Sequence, residues 1–284
     1  MIDELVQLFN QGKLTEAIAR ANAAVAKDPR DIALRLVLVQ LVCFTGNWER
    51  VEKVAKQLEA LDSEREHMAL TNFIDKLSIA EIQRKAVWES GMVPEFVETP
   101  DEVTKKLLWA WSCLRSGDKA QYQETLDWVL ENAPLLTMEI NGKPHEGFRD
   151  LDDPTCTVFE AHTVQGVYLW IPHYLVKKIE IAKPTRLVDH LWSKTRITLR
   201  DDTDLAVYIP GLYFHSFDEG VSESIQLGRE TQWIDSNEVE IGLGRRIFGA
   251  GEEEFTLFDF EDVTLSGDAP VATQESADGS GENV

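Results

Sequence analysis

Residues 227–248, LGRETQWIDSNEVEIGLGRRIF, gather the residue types that binding and catalysis use: three arginines, a tryptophan among acids, and a GxG pair. Gly242 and Gly244 look like part of a dinucleotide fingerprint. That fingerprint needs a strand before it, a helix after it and a third glycine in register. A further strand-like run follows instead, so these glycines read as bulge or turn positions. RDLDDP places Asp150, Asp152 and Asp153 together. With no carboxylate or histidine pair at a fixed spacing beside it, this is an Asp-rich turn before a proline rather than a metal or acid–base site. His162, His173, His190 and His215 form none of the HxH, HExxH or Cys/His pairs that zinc uses. FHSF around His215 lacks the strand–GxSxG–helix elbow of a serine hydrolase, and the sequence contains no P-loop. We therefore expect no catalytic, cofactor-binding or metal-binding residue. Partner contact remains. Trp233 and Arg246 are its candidates, since Trp and Arg are common anchors of protein interfaces. Gly228, Gly242 and Gly244 are expected to set turns, with Arg229, Arg245 and Arg246 pairing with Glu230, Asp235 and Glu240.

The elements that must carry these residues follow from pattern. The chain of 284 residues, 43% hydrophobic and 27% charged, is long enough for two domains. In the first half, Gly12 stands 17 residues before Pro29, and Gly117 stands 17 before Pro134. Gly12 and Gly46 are 34 residues apart, the tetratricopeptide period, and Gly117 follows 71 later. This predicts helix pairs over residues 1–135, with small residues such as Gly12 and Ala17 allowing close approach and the prolines closing second helices. The middle unit, ALTNFIDKLSIAEIQRKAVWESG, is helical by pattern but lacks the small residue at its turn. After Pro134 the texture changes to short β-rich runs: GVYLWIP, YLVKKIEIAK, RITLR and DLAVYIPGLYF. A short helix is expected at TRLVDHLWSK, and a hairpin at GAGE between the last two strand-like pieces. The fold class is thus α+β, with a mixed domain of short strands over 136–265. From Ser266 the chain has almost no apolar mass, so 266–284 is expected to be a disordered acidic tail.

Composition narrows the function classes. A net charge of −22 argues against nucleic acid as a partner, because phosphate binding needs a basic face. Ten acids and no Lys or Arg stand between Ile247 and Val284, a field suited to solubility or to a basic protein partner. No run of about 18 apolar residues exists, so no transmembrane helix is expected. Asp3 and Glu4 stand where a secretory signal needs basic residues. Cys43, Cys113 and Cys156 are far apart and odd in number, which reads as buried reduced thiols in a cytoplasmic protein. Trp109, Trp111, Trp128, Trp170 and Trp192 read chiefly as core.

FRDLDD, YLWIP, RLVDHLW, VYIPGLYFHS, LGRETQWID and GLGRRIF occur in this order. Together they resemble the ImpE/TagJ (SciE) family of type VI secretion accessory proteins, over nearly the whole chain to about Leu265. The chain has His215 where the family usually has glycine, and Arg245 where it more often has glutamine. The resemblance implies a tetratricopeptide-like N-terminal region, a C-terminal α/β part and no enzymatic activity. It implies a cytoplasmic adaptor that binds a helical segment of the small sheath subunit, TssB, and in some systems contacts the sheath-recycling AAA+ ATPase ClpV. The alternative is an uncharacterised enzyme whose site lies between the two domains, using the histidines and the RDLDD acids.

Overall fold

The structure, a computed structural model, describes residues 1–62, 67–140, 142–235 and 239–267. The first half is helical: α1 (Ile2–Asn10), α2 (Leu14–Lys27), α3 (Ile32–Cys43), α4 (Trp48–Glu59) and α5 (Met68–Ser90), then a two-residue strand β1 (Glu95–Phe96), α6 (Glu102–Ser116) and α7 (Lys119–Asn132). Strands follow: β2 (Thr137–Ile140), β3 (Lys143–Glu146), β4 (Arg149–Asp150), β5 (Val158–Thr163), β6 (Tyr168–Pro172), β7 (Val176–Ile181), β8 (Trp192–Leu199) and β9 (Asp204–Pro210). After the short α8 (Glu223–Gln226) come β10 (Thr231–Asp235), β11 (Glu240–Gly244), β12 (Ile247–Ala250), β13 (Glu253–Thr256) and β14 (Val263–Ser266). The architecture is α+β, as the pattern of the sequence implies.

The helices begin where short polar side chains can close their first turn. Asp31, Asn47, Asp101 and Asp118 each accept a hydrogen bond from the backbone N–H three residues on, offsetting donors the helix leaves unpaired. Helix α4 buries Val51, Val54, Ala55 and Leu58, one stripe of a 3.6-residue period. Helix α3 is buried on nearly every side and forms the centre of the helical stack. The repeated glycines sit in the tight turns α1/α2, α3/α4 and α6/α7, where Gly12, Gly46 and Gly117 adopt φ of +79°, +64° and +77°. The degenerate middle unit is a single helix, α5, of 23 residues.

The main sheet has the order β1-β6-β5-β9-β8-β7-β14-β2-β3. Its pairs are antiparallel except β1–β6, which is parallel. Two small sheets, β10–β11 and β13-β12-β4, lie beside it. One hydrophobic core joins helices α1–α5 to Val188, Leu191, Trp192 and Leu212. Another joins α5–α7 to Cys156, Val158, Tyr168 and Trp170. A third lies among the strands. All three cysteines are buried and unpaired. Trp111, Trp170 and Trp192 are core residues, whereas Trp109 is exposed.

At TRLVDHLWSK the expected helix is only a 3-10 turn, Leu187–His190, and β8 starts at Trp192. The Asp189 carboxylate folds back to accept from the backbone N–H groups of Thr185 and Arg186. Meanwhile the Trp192 indole donates to Glu81 on α5 at 2.9 Å, so a tertiary contact draws the chain into the sheet. The GAGE hairpin is β12–β13. Ser266 ends β14 within the sheet, and the tail expected beyond it lies, from residue 268 on, outside the described residues.

Candidate functional site

Arg246 occupies the seam between helices and strands. Gly244, at φ +92°, makes the bend that delivers it; a side chain there would collide with the carbonyl oxygen of Glu230. The Arg246 side chain is 1% exposed. Its guanidinium pairs with Asp150 and Glu160, and donates to the Pro210 carbonyl and the Thr155 hydroxyl, each at 3.3 Å. Glu160, on β5, is the hub. It accepts two hydrogen bonds from Arg84 of α5, at 2.8 and 2.7 Å, one from the Tyr168 hydroxyl at 2.6 Å and one from the Trp88 indole at 3.2 Å. Arg84 also lies 3.5 Å from Glu81, which contacts His162 Nε2 at 3.0 Å. Asp150, Arg246, Glu160, Arg84 and Glu81 thus form one fully buried chain of alternating charge that bolts α5 to β5 and to the start of β12.

The charges explain one another. Burial by itself would raise Glu160, but Arg84 and Arg246 overcome it and hold the carboxyl well below its ordinary range. Burial raises Asp150, and Arg246 opposes that rise. Asp152 is pushed up to about 8, first by burial and then by the neighbouring Asp150, although the Gly242 N–H donates to it at 2.8 Å.

The RDLDD acids therefore work as latches. Asp150 holds Arg246 and accepts from the Tyr213 hydroxyl at 3.0 Å. Asp152 holds Gly242, and Asp153 accepts from the Glu240 N–H at 2.8 Å. A 3-10 turn at Asp153–Thr155 sets their spacing. With Asp150, Arg246, Glu160, Arg84 and Glu81 all at 0–2% exposure, the charge chain offers no face to a substrate. Among the described residues no group of three His, Cys, Asp or Glu is placed to hold a metal, and no helix is long and apolar enough to cross a membrane.

The two residues singled out from the sequence part company. Arg246, expected at a partner surface, is sealed inside because two buried carboxylates need its charge. Trp233 is 38% exposed on β10, next to Ile234 at 40%, with its ring 5.6 Å from that of Tyr213. Gly242 lies opposite Trp233 in the β10–β11 ladder, where a side chain would strike the Tyr213 ring. The other arginines also pair differently from expectation. Arg229 donates to the Phe9 carbonyl at 2.7 Å, and Arg245 donates to the Gly228 carbonyl at 2.6 Å and lies over Phe258.

Helical repeats imply a groove that an amphipathic helix can enter, but the residues that line one were not singled out from the sequence. Such a groove runs between the α3/α4 turn with α4 on one side and α5 on the other, and encloses about 650 Å³. Trp48 lies in its floor, Ile79 and Ile82 stand on its α5 wall, and Glu49, Glu52 and Asp75 edge it against a single cation, Lys85. Ile82 is 53% exposed and Ile79 38%. The floor is fixed from the strand side. Trp48 stacks on Trp192 at 6.0 Å, and Phe217 approaches so closely that a side chain at Gly46 would come within 2.6 Å of it. The sequence signal for the groove was the pair of isoleucines three residues apart, one helical face apart from the buried one.

Comparison with known proteins places this geometry in context. Residues 142–264 match the model of the ImpE protein family. The chain is 27% identical over 259 residues to the type VI secretion system accessory component TagJ of Pseudomonas aeruginosa, covering 90% of this chain and 89% of that protein. The crystal structure of protein VPA1032 from Vibrio parahaemolyticus superposes with a TM-score of 0.84 at 23% identity, covering 93% of this chain and 97% of that one. The last likeness shows a shared fold.

Proposed function

We propose that the chain, similar to the ImpE family over residues 142–264 and to TagJ over 90% of its length, is a non-enzymatic adaptor of a type VI secretion system. In this reading it takes an amphipathic helical segment of the small sheath subunit into the α4/α5 groove and links it to the ClpV-type recycling ATPase in the cytoplasm. The observation that carries the reading is the pair of exposed isoleucines above a tryptophan floor, edged by three acids. A helix in such a groove would cover Ile79 and Ile82 with its apolar face and set basic residues against Glu49, Glu52 and Asp75. Trp233, exposed on β10, is a second proposed contact. The buried network supports the adaptor reading over an enzyme that uses the RDLDD acids, because Asp150, Asp152 and Asp153 are taken up by Arg246 and by backbone N–H groups.

The test is titration of the purified protein with a synthetic helix from the small sheath subunit, without nucleotide or metal. Covering the exposed half of Ile82 is worth about 1 kcal/mol, so Ile82→Ala should weaken binding about fivefold, and Ile82→Glu considerably more. Salt should slow association more than it speeds dissociation, since exposed charges are screened and apolar burial is not. Unchanged affinity in Ile82→Glu would remove the groove from the reading. No binding of any sheath-subunit peptide would remove the adaptor role itself.

A further inference from the structure

A second cavity, of about 160 Å³, lies on another part of the molecule. Its walls come from the start of α6, the end of α7 and the β3–β4 connection, and are mostly apolar: Val103, Leu130, Pro134 and Phe148. His173 and Thr157 also line it. His173 is 2% exposed, and its Nε2 has no hydrogen-bond partner among the described residues; neither has the Thr157 hydroxyl.

We propose that this cavity is a binding site for a small neutral ring compound carrying one hydrogen-bonding group, of the phenol or indole class. Size is the first argument. An apolar cavity of about 150 Å³ admits a benzene-sized molecule, and this one matches it. The second argument is the unsatisfied imidazole. A buried polar atom left unpaired costs roughly 1–3 kcal/mol, and a ligand hydroxyl or N–H reaching His173 Nε2 recovers much of that.

Charge selects against cations. Burial, with the Arg246 charge adding to it, pushes His173 down to about 3, so it stays a neutral ring at physiological pH. A cation would be desolvated there with no carboxylate in the lining, Arg149 being the one charged side chain that lines the cavity. The His173 ring itself packs on Phe159 at 4.3 Å and Phe148 at 5.0 Å, which fixes its plane against reorientation. Leu135, 71% exposed, stands at the mouth and leaves an apolar approach.

The full chain should be titrated with phenol, indole and toluene, followed by ligand-observed NMR and calorimetry. Phenol and indole should bind saturably, with toluene about fivefold weaker for want of the hydrogen bond. His173→Phe should erase the preference for phenol over toluene. Ala133→Trp, which fills the cavity from its rim, should abolish binding of all three, and it keeps the test decisive if the histidine variant misfolds. The proposal is overturned if no ring compound binds saturably, meaning that water alone occupies the cavity. It is equally overturned if phenol and toluene bind alike, or if binding survives Ala133→Trp in a folded protein.

Discussion

Replacing Arg246 by methionine isolates the buried charge chain, because methionine keeps much of the side-chain volume and removes only the guanidinium. Two carboxylates lose their partner at once. Glu160 keeps Arg84, Tyr168 and Trp88, whereas Asp150 keeps only the Tyr213 and Thr155 hydroxyls and the Asp152 N–H. Removing one partner of a buried ion pair typically costs about 3–5 kcal/mol. For a chain of this size that corresponds to a fall of roughly 10 °C in Tm. The loss should depend on pH. Without Arg246 to oppose burial, the folded-state pKa of Asp150, already raised, rises further above its unfolded value. A raised carboxyl contributes stability that is present below the unfolded pKa and is lost as pH rises through the folded one. The deficit of Arg246→Met should therefore be smaller at pH 5 than at pH 8, and Asp150→Asn in the same chain should recover part of it. Urea denaturation at both pH values, on the two single variants and the double, measures each term. A deficit below about 1 kcal/mol at both pH values, or a double variant whose cost is the plain sum of the singles, would refute the account of the network.

Asp152→Asn should be close to neutral at pH 4 and stabilising at pH 8: the acid, pushed up to about 8 in the fold, must take up a proton on folding at every pH between its unfolded value and that one, and asparagine removes this cost. Chemical denaturation at the two pH values checks the sign. Gly244→Ala should cost roughly 2–4 kcal/mol, since it combines a φ of +92° with a collision at the Glu230 carbonyl. Gly117→Ala, at φ +77° but facing open space, should cost only about 1 kcal/mol, and a thermal melt of both separates strain from crowding.

Local chemistry was legible in the sequence, and long-range pairing was not. Gly12, Gly46 and Gly117 marked their turns because a left-handed backbone needs glycine wherever it occurs, and Gly251 marked the β12–β13 hairpin for the same reason. Arg246 was misplaced because an arginine reads as a surface residue. Its partners stand 86 and 96 residues away in the chain, and no spacing rule reaches so far. The acids Asp150, Asp152 and Asp153 were recognised as a turn, but the backbone N–H groups they latch lie some 90 residues on. The residues that line the groove on α5 escaped notice for another reason. That helix is buried on more than one side, by α4 and by the sheet, so exposed Ile79 and Ile82 do not stand out from an apolar stripe.

The position of β14 bears on how the chain reaches this state. It lies between β7 and β2, so the β2–β3 hairpin joins the main sheet only through the last strand of the described chain. During synthesis that hairpin is made well over a hundred residues before its neighbour exists, and until then one edge of β2 and one edge of β7 stay open. Unpaired edges of this kind invite association with other chains. The helical half can assemble from near neighbours while translation proceeds, but the sheet closes only after the ribosome has delivered residues 263–266. Closure of the sheet is thereby timed to the synthesis of β14.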